Sequence, residues 1–189
     1  SFAHVCLVAE KAAYIMETLG YSEREVELVK SAGYLHDIGN VVNRSDHSQS
    51  GAIMAFRILD KMNADPDEIA TIITAIGNHD EETAFPVNPV AAALILADKT
   101  DVRESRVRNR DLPSFDIHDR VNLAVNLSYV KVDKENKLIA GICASPAVVL
   151  KNAGVINGKN ITKGHLAPYI SNLEFMRSCM DGGEKTGFN

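Results

Sequence analysis

The first hundred residues contain a series of helix start and stop signals, and this feature limits the possible folds more than any other. Apolar residues recur there at three- and four-residue spacing, between signals that begin or end helices. Ser22 and Glu25 form a capping-box pattern. Asp46 can cap the next helix, and Asp65-Pro66 combines an N-cap with a first-turn proline. The first hundred residues therefore predict an all-helical body.

The last helix of this body is apolar nearly all round. It opens at Asn88-Pro89 and carries only aliphatic residues from position 90 to position 97. Such a helix is predicted to be central and buried. Asp98 follows directly, and an ionised carboxylate at that place is costly unless it is paired or bound to a metal. Lys99 or a nearby arginine could also pair with it.

The sequence pattern changes after residue 110. Apolar and polar residues alternate over 121–128, which is the period of a strand, and the segments 130–132 and 138–143 flank a polar turn. A final helix is predicted over 162–180. The predicted fold is mainly α, a helical bundle with a small C-terminal β hairpin and a last helix. We expect a helical domain over 1–112 and an α+β extension over 113–189 that packs on it.

The charge and the cysteines exclude several classes of protein. The chain has 20 basic and 25 acidic residues, a net charge of −5, which argues against a nucleic-acid coat or an anionic-membrane binder. Its three cysteines form no CxxC pair, which disfavours a disulfide framework and a zinc ribbon. No apolar run has membrane-spanning length. We therefore expect a cytoplasmic protein with no membrane and no nucleic-acid partner.

Several histidines and aspartates in the helical body could share one metal. Each of them alone has a structural interpretation as a core histidine, a helix end or a charge pair. Helices that face one another can, however, aim side chains at one internal point, so a metal would explain the whole set. Imidazole and carboxylate ligands suit divalent iron, manganese, cobalt, nickel or zinc alike. The candidates are His4, His36, Asp37, His47, His79 and Asp98.

The order of these residues and the short sequence segments around them resemble those of the HD-domain metal-dependent phosphohydrolases. The segments at 35–39 (Leu-His-Asp-Ile-Gly), 47–52 and 97–99 are similar to ligand segments of that family. The resemblance covers about residues 1–110 and implies an HD-type helical bundle. It further implies one or two divalent ions, with Asp37 as a bridge and a catalytic residue. The implied first-metal ligands are His4, His36, Asp37 and Asp98, and His47 and His79 match positions used by two-metal members.

The segment that follows Asp98 suits a phosphorylated substrate. Residues 99–110 contain five basic and two acidic side chains, a local balance of +3. Arginine forks match phosphate oxygens, and Lys99 and Arg103 are the predicted substrate contacts because they are close in sequence to a proposed ligand. A solvated, salt-bridged helix end is the structural alternative. Asn78 and Asp80 flank the histidine at position 79 and are predicted to orient water or a ligand.

These features together predict a metal-dependent phosphohydrolase that uses metal-activated water on a small phosphorylated metabolite, with a nucleotide favoured and a homodimer as an option. An HD-type di-iron oxygenase and a non-catalytic nucleotide-binding sensor are the alternatives. Asn40 stands where many family members that cut cyclic dinucleotides or RNA carry lysine, which weakens the analogy with them. Asn40-Val41 also replaces the acidic pair of the alarmone hydrolases, which argues against that activity.

Overall fold

A computed structural model describes residues 1–80, 84–107, 122–123, 128–133 and 138–143 of the 189-residue chain. Within these residues the helices are α1 (Phe2–Leu19), α2 (Glu23–Leu35), α3 (His47–Lys61), α4 (Pro66–Gly77) and α5 (Pro89–Lys99). Short 3₁₀ helices span Ile38–Val41 and Glu104–Arg106, and the strands are β1 (Ser128–Asp133) and β2 (Leu138–Cys143). The prediction of a mainly α chain with a C-terminal hairpin is confirmed. The helix predicted over 162–180 lies outside the described residues.

Two of the helix starts form as their capping signals predict. Ser22 accepts a hydrogen bond from the backbone N–H of Glu25 (3.3 Å), and the Glu25 carboxylate accepts one from the Ser22 N–H (2.9 Å). Asp65 caps α4 by accepting from the backbone N–H of Asp67 at 2.9 Å, with Pro66 in the first turn. These side chains satisfy N–H groups that have no partner inside the helix.

The start of α3 differs from the prediction. Asp46 precedes the helix, but its side chain forms no capping bond, and its φ of 55° is left-handed. An N-cap residue normally has extended backbone, from which its side chain reaches the first-turn N–H groups. The backbone carbonyl of Asp46 accepts the usual first helical hydrogen bond from the Ser50 N–H (3.0 Å) and a further one from the Ser50 hydroxyl (3.2 Å). The predicted side-chain cap is therefore wrong.

The core of the helical body is built around α5 and the α1–α2 pair. Residues 90–97 of α5 are all buried, none more than 8% exposed, so the prediction of a central helix is confirmed. The helices α1 and α2 cross so closely that a Cβ atom on Gly33 would lie 2.6 Å from the Cα atom of Ala9. Only glycine fits such a crossing without a shift of the backbone. This packing holds the start of α1 beside the end of α2.

The described residues form two compact units that divide between Asp98 and Lys99. In the second unit, β1 and β2 pair antiparallel, with Ser128 opposite Cys143 and Asp133 opposite Leu138. The domain boundaries predicted at 112 and 113 stay a prediction. Within the part of the chain that the structure describes, no helix has the length and apolar character needed to cross a membrane.

The strand predicted from position 121 is wrong at its beginning. Asn122 and Leu123 are helical, and β1 begins at Ser128. The side-chain oxygen of Asn122 accepts a hydrogen bond from the Arg103 N–H at 3.1 Å. Such side-chain bonds to the backbone compete with a strand ladder, and alternation of apolar residues does not reveal them.

Candidate metal centre

Helix ends of the first unit supply all the side chains of the candidate centre. His4 lies in the first turn of α1, and His36 and Asp37 follow directly after α2. The first residue of α3 is His47, and His79 lies two residues beyond the end of α4. The carboxylate of Asp98 comes from the last turn of α5. Five helices thus contribute to one place, which is possible because helix ends are fixed by the packed body behind them.

One group of ligand atoms gathers His4, His36 and Asp98. The His4 Nε2 atom is 3.1 Å from Asp98 Oδ1 and 3.3 Å from His36 Nε2. The remaining side of this triangle, from His36 Nε2 to Asp98 Oδ1, measures 3.7 Å. All three residues can offer ligand atoms within 4.8 Å of one another, which is close enough to share one metal ion.

A second group contains His36, Asp37 and His79, whose ligand atoms also lie within 4.8 Å of one another. The His36 and His79 rings meet edge to face with centroids 4.9 Å apart. The Asp37 carboxylate points one oxygen, Oδ2, toward His4 (3.7 Å) and the other, Oδ1, toward His47 Nε2 (3.6 Å). His47 completes this side, with its ring centroid 5.1 Å from that of His79.

Three of the histidines are oriented by the same backbone contact. In each of them Nδ1 faces the carbonyl of the residue three positions earlier, at 2.7 Å for His36, 3.0 Å for His47 and 2.6 Å for His79. A carbonyl can only accept, so the Nδ1 atom carries the proton. The lone pair is then left on Nε2, the atom that faces the cluster. Metal-binding histidines are commonly fixed in this way by a bond from their other nitrogen.

The imidazoles are buried and the carboxylates lie at the edge of the cluster. Each of the four histidines is at most 3% exposed, whereas the side chains of Asp37 and Asp98 are 19% and 20% exposed. The carboxylates are therefore the part of the cluster with the larger contact with solvent. The histidines are His4, His36, His47 and His79.

Burial sets the protonation of two of the imidazoles. It lowers the pKa of His36 and lowers the pKa of His79 to about 4, so both rings are neutral near neutral pH. For the carboxylates burial acts in the opposite direction, but the neighbouring imidazoles outweigh it. The pKa of Asp98 is lowered by His4 and His36, and the same histidines lower the pKa of Asp37. Neutral imidazoles and ionised carboxylates are the forms that bind metals.

Close packing and one side-chain hydrogen bond fix the elements that carry the metal-binding candidates. A Cβ atom on Gly39 would lie 2.0 Å from the His47 carbonyl oxygen, so only glycine lets the 3₁₀ helix rest on the start of α3. The Gln49 amide in α3 donates a 2.7 Å hydrogen bond to the carbonyl of Gly77, the last residue of α4. This bond joins α3 and α4 just before the chain reaches His79.

The structure brings together all six side chains predicted to bind metal. Of the two predicted orienting residues, Asp80 lies 3.5 Å from His47 Nδ1. Asn78 instead donates to the Thr74 carbonyl at 2.8 Å, within the end of α4. The assigned ligand roles stay predictions. The six side chains are His4, His36, Asp37, His47, His79 and Asp98.

The predicted substrate contacts, Lys99 and Arg103, belong to the second unit. There the Arg103 guanidinium donates two hydrogen bonds to the buried Asp101 carboxylate, from Nε to Oδ1 at 2.8 Å and from Nη2 to Oδ2 at 3.3 Å. The backbone carbonyl of Asp101 accepts from Arg106 at 2.8 Å. Contact of Lys99 and Arg103 with substrate stays a prediction.

Sequence reasoning missed two polar side chains that support the cluster. Asn40 donates to Asp37 Oδ1 at 2.7 Å, and Gln49 joins α3 to α4. The three-residue spacing between Asp37 and Asn40 was a usable signal, because residues three apart share a face of a helical turn. No sequence signal indicated Gln49, because its bond depends on how two helices pack.

The donor set fits a divalent cation. Among the described residues, Asp37 and Asp98 meet imidazoles and the Asn40 amide, and neither has a lysine or arginine partner. The cluster therefore concentrates negative charge and nitrogen lone pairs without an internal cation. Nitrogen and carboxylate donors in this number are the ligands of divalent transition metals.

The family model of the HD domain matches residues 1–103, which is more than half of the 189-residue chain. The chain therefore belongs to the HD-domain family. No curated protein and no solved structure matches the chain. HD domains bind divalent metals, and the family lies in a superfamily of metal-dependent phosphohydrolases. The matched residues include every helix that contributes to the cluster, from α1 to the end of α5.

Proposed function

We propose that the chain is a metal-dependent phosphohydrolase that acts on a small phosphorylated metabolite, with a nucleotide as the expected substrate class. The observation that carries this proposal is the meeting of four buried imidazoles and two carboxylates at the ends of five helices. Residues 1–103 also belong to a family whose members are generally metal-dependent phosphohydrolases.

The two groups of possible ligands overlap at His36, and we propose that they bind one or two divalent ions. A bound divalent metal lowers the pKa of a coordinated water and offsets negative charge on phosphoryl oxygens. The role of the chain is to present imidazoles and ionised carboxylates whose positions are already fixed. The first site would use His4, His36, Asp37 and Asp98, and the second would add His47 and His79.

Asp37 is the proposed centre of the site. Its Oδ2 atom faces His4, its Oδ1 atom faces both His36 and His47, and Asn40 holds Oδ1 through a 2.7 Å hydrogen bond. A carboxylate held in this way keeps its orientation when a ligand enters or leaves. Asp80 faces the Nδ1 atom of His47 at 3.5 Å and, together with the Arg44 carbonyl, favours the tautomer with a proton on that nitrogen.

The nucleotide class is supported by the basic segment 99–110, which carries a local charge of +3. Arg103 uses two donors on Asp101, and a guanidinium has five, so it retains donors for phosphate oxygens. We propose Lys99 and Arg103 as substrate contacts on this basis. A homodimer, a cytoplasmic location and the absence of a nucleic-acid partner stay predictions.

The proposal is tested by phosphate release from a panel of nucleotides and sugar phosphates, with each divalent metal in turn. We expect Asp37→Ala to lose both its metal, by elemental analysis, and its turnover, because both proposed sites use this carboxylate. The matched control is Asp60→Ala, which removes an exposed carboxylate from α3. We expect the control to keep the metal content and turnover of the wild type.

Two outcomes would contradict the proposed function. Dioxygen consumption by the iron-loaded protein without phosphate release would favour the di-iron oxygenase. Nucleotide binding without turnover under every divalent metal would favour a sensor. Full turnover by a metal-free Asp37→Ala variant would also overturn the assignment of Asp37.

A further inference from the structure

Arg44 is connected to the central carboxylate of the metal centre by its side chain. Its Nη1 atom donates to the side-chain oxygen of Asn40 at 3.5 Å, and the Asn40 amide donates to Asp37 Oδ1 at 2.7 Å. We propose that Arg44 binds the phosphate group of the substrate beside the metal centre. This inference rests on the proposed function and names a residue of its substrate site.

The relay through Asn40 has a defined direction. The amide nitrogen donates to the Asp37 carboxylate and also to the Asp37 backbone carbonyl, at 3.1 Å. Its oxygen is then turned outward, where only a donor such as the Arg44 guanidinium can use it. Both ends of the amide are therefore engaged, and the Asn40 side chain alone connects the Arg44 Nη1 atom to Asp37 Oδ1.

The backbone of Arg44 is tied to the same place. Its carbonyl oxygen accepts from Nδ1 of His47 at 3.0 Å, the contact that sets the tautomer of that imidazole. Arg44 therefore meets the cluster twice, through its main chain and through Asn40. These two contacts fix the main chain of Arg44 beside His47 and its Nη1 atom beside Asn40.

The positive charge of Arg44 is not neutralised by a carboxylate among the described residues. Two other cations of the first unit are used in surface pairs, Arg24 with Glu68 and Lys30 with Glu10. The Arg44 side chain is exposed and keeps guanidinium donors beyond the one on Asn40. A guanidinium fork matches two oxygens of a phosphate, so a phosphoryl group is the ligand that its chemistry suits.

Arg57 provides a matched control. It is also an exposed arginine, and it lies on α3 ten residues after His47. A helix rises about 1.5 Å per residue, so Arg57 is about 15 Å along the axis from the start of α3. Its replacement changes the net charge by the same amount without touching the relay to Asp37.

The test is calorimetric titration of the metal-loaded full chain with inorganic phosphate, with metal content measured in parallel. We expect Arg44→Ala to weaken phosphate binding about 10- to 100-fold, the effect of losing a charge-assisted hydrogen-bond pair. Arg44→Lys should fall in between, because an ammonium keeps the charge but loses the fork. Arg57→Ala should stay within about 2-fold of the wild type, because solvent screens a distant charge.

Equal phosphate affinity in Arg44→Ala and Arg57→Ala would overturn the inference, as would a wild-type protein that binds no phosphate. Loss of metal from Arg44→Ala would overturn it too, because the residue would then act on the centre and not on the anion. Nucleotide turnover by the wild type is measured separately. Turnover together with unchanged phosphate affinity in Arg44→Ala would refute the role of Arg44 and leave the phosphohydrolase proposal standing.

Discussion

Two clusters of charged groups in this chain are built in opposite ways. In the metal centre, Asp37 and Asp98 face imidazoles, and no lysine or arginine pairs with them among the described residues. In the second unit, Asp101 is 1% exposed and is gripped by the Arg103 guanidinium, which brings its own positive charge. One cluster lacks a cation, and the other contains one.

The difference separates a binding site from a structural contact. A buried carboxylate is costly unless a positive group or hydrogen bonds compensate it. Asp101 is compensated within the chain, so its contact with Arg103 can persist with no ligand. The metal centre gathers acceptors that only a proton or an external cation can satisfy fully. The proposed metal binding would account for this arrangement, which the stability of the fold alone does not require.

Removal of the metal is expected to have the largest effect. A ligand that binds only the folded state stabilises it by about 4 kcal/mol when its free concentration is 1000 times its Kd. A chelator should lower the free energy of unfolding by about that amount, measured by urea denaturation before and after metal loading. In the Asp101→Ala variant, metal loading should raise the free energy of unfolding by the same amount as in the wild type, because the contact of Asp101 with Arg103 needs no metal. Identical denaturation curves with and without chelator would show that the cluster at the helix ends holds no stabilising metal.

Replacement of Asp101 is expected to destabilise the protein without affecting metal content. Loss of one partner from a buried ion pair costs about 3–5 kcal/mol, and the partial exposure of Arg103 reduces this to about 2–3 kcal/mol for Asp101→Ala. Urea denaturation and elemental analysis measure the two effects. Asp60→Ala, which removes an exposed carboxylate, should change neither quantity. A loss of metal from Asp101→Ala would show that the two clusters are not independent.

Acidification is expected to have a smaller effect on the metal-free protein. Burial holds the pKa of His79 at about 4, below its ordinary 6.5, so the unfolded chain binds a proton more readily between these values. Stability should therefore fall as the pH drops through this window, by about 2 kcal/mol from pH 7 to pH 5. Urea denaturation at both values measures the loss, and His79→Gln should reduce it. Equal stability of the wild type at both values would contradict the account.

Local signals predicted much of the helical body. The Ser22 capping box and the Asp65-Pro66 start act within one turn, so the sequence contains all of their partners. The uniform apolar character of residues 90–97 predicted burial, because no face of such a helix prefers water. The side-chain cap predicted at Asp46 is wrong because the backbone of this residue is left-handed, and its residue type does not predict that conformation.

The metal centre could be predicted only in part. The spacing and order of the histidines indicated the ligand types, through resemblance to a family. The supporting contacts of Asn40, Arg44 and Gln49 depend on how helix ends pack, and no sequence period records that. The pairing of Arg103 with Asp101 was hidden for a similar reason, because the burial of Asp101 is set by its surroundings in the folded unit.

We propose that the cluster at the helix ends binds divalent metal. Titration of the metal-free wild type with manganese, followed by calorimetry, tests it directly, with Asp98→Ala as the variant that removes one ligand. We expect one or two bound ions per chain in the wild type and weaker or fewer bound ions in Asp98→Ala. A wild-type protein that binds no manganese, iron, cobalt, nickel or zinc, or a variant that binds them as the wild type does, would contradict it.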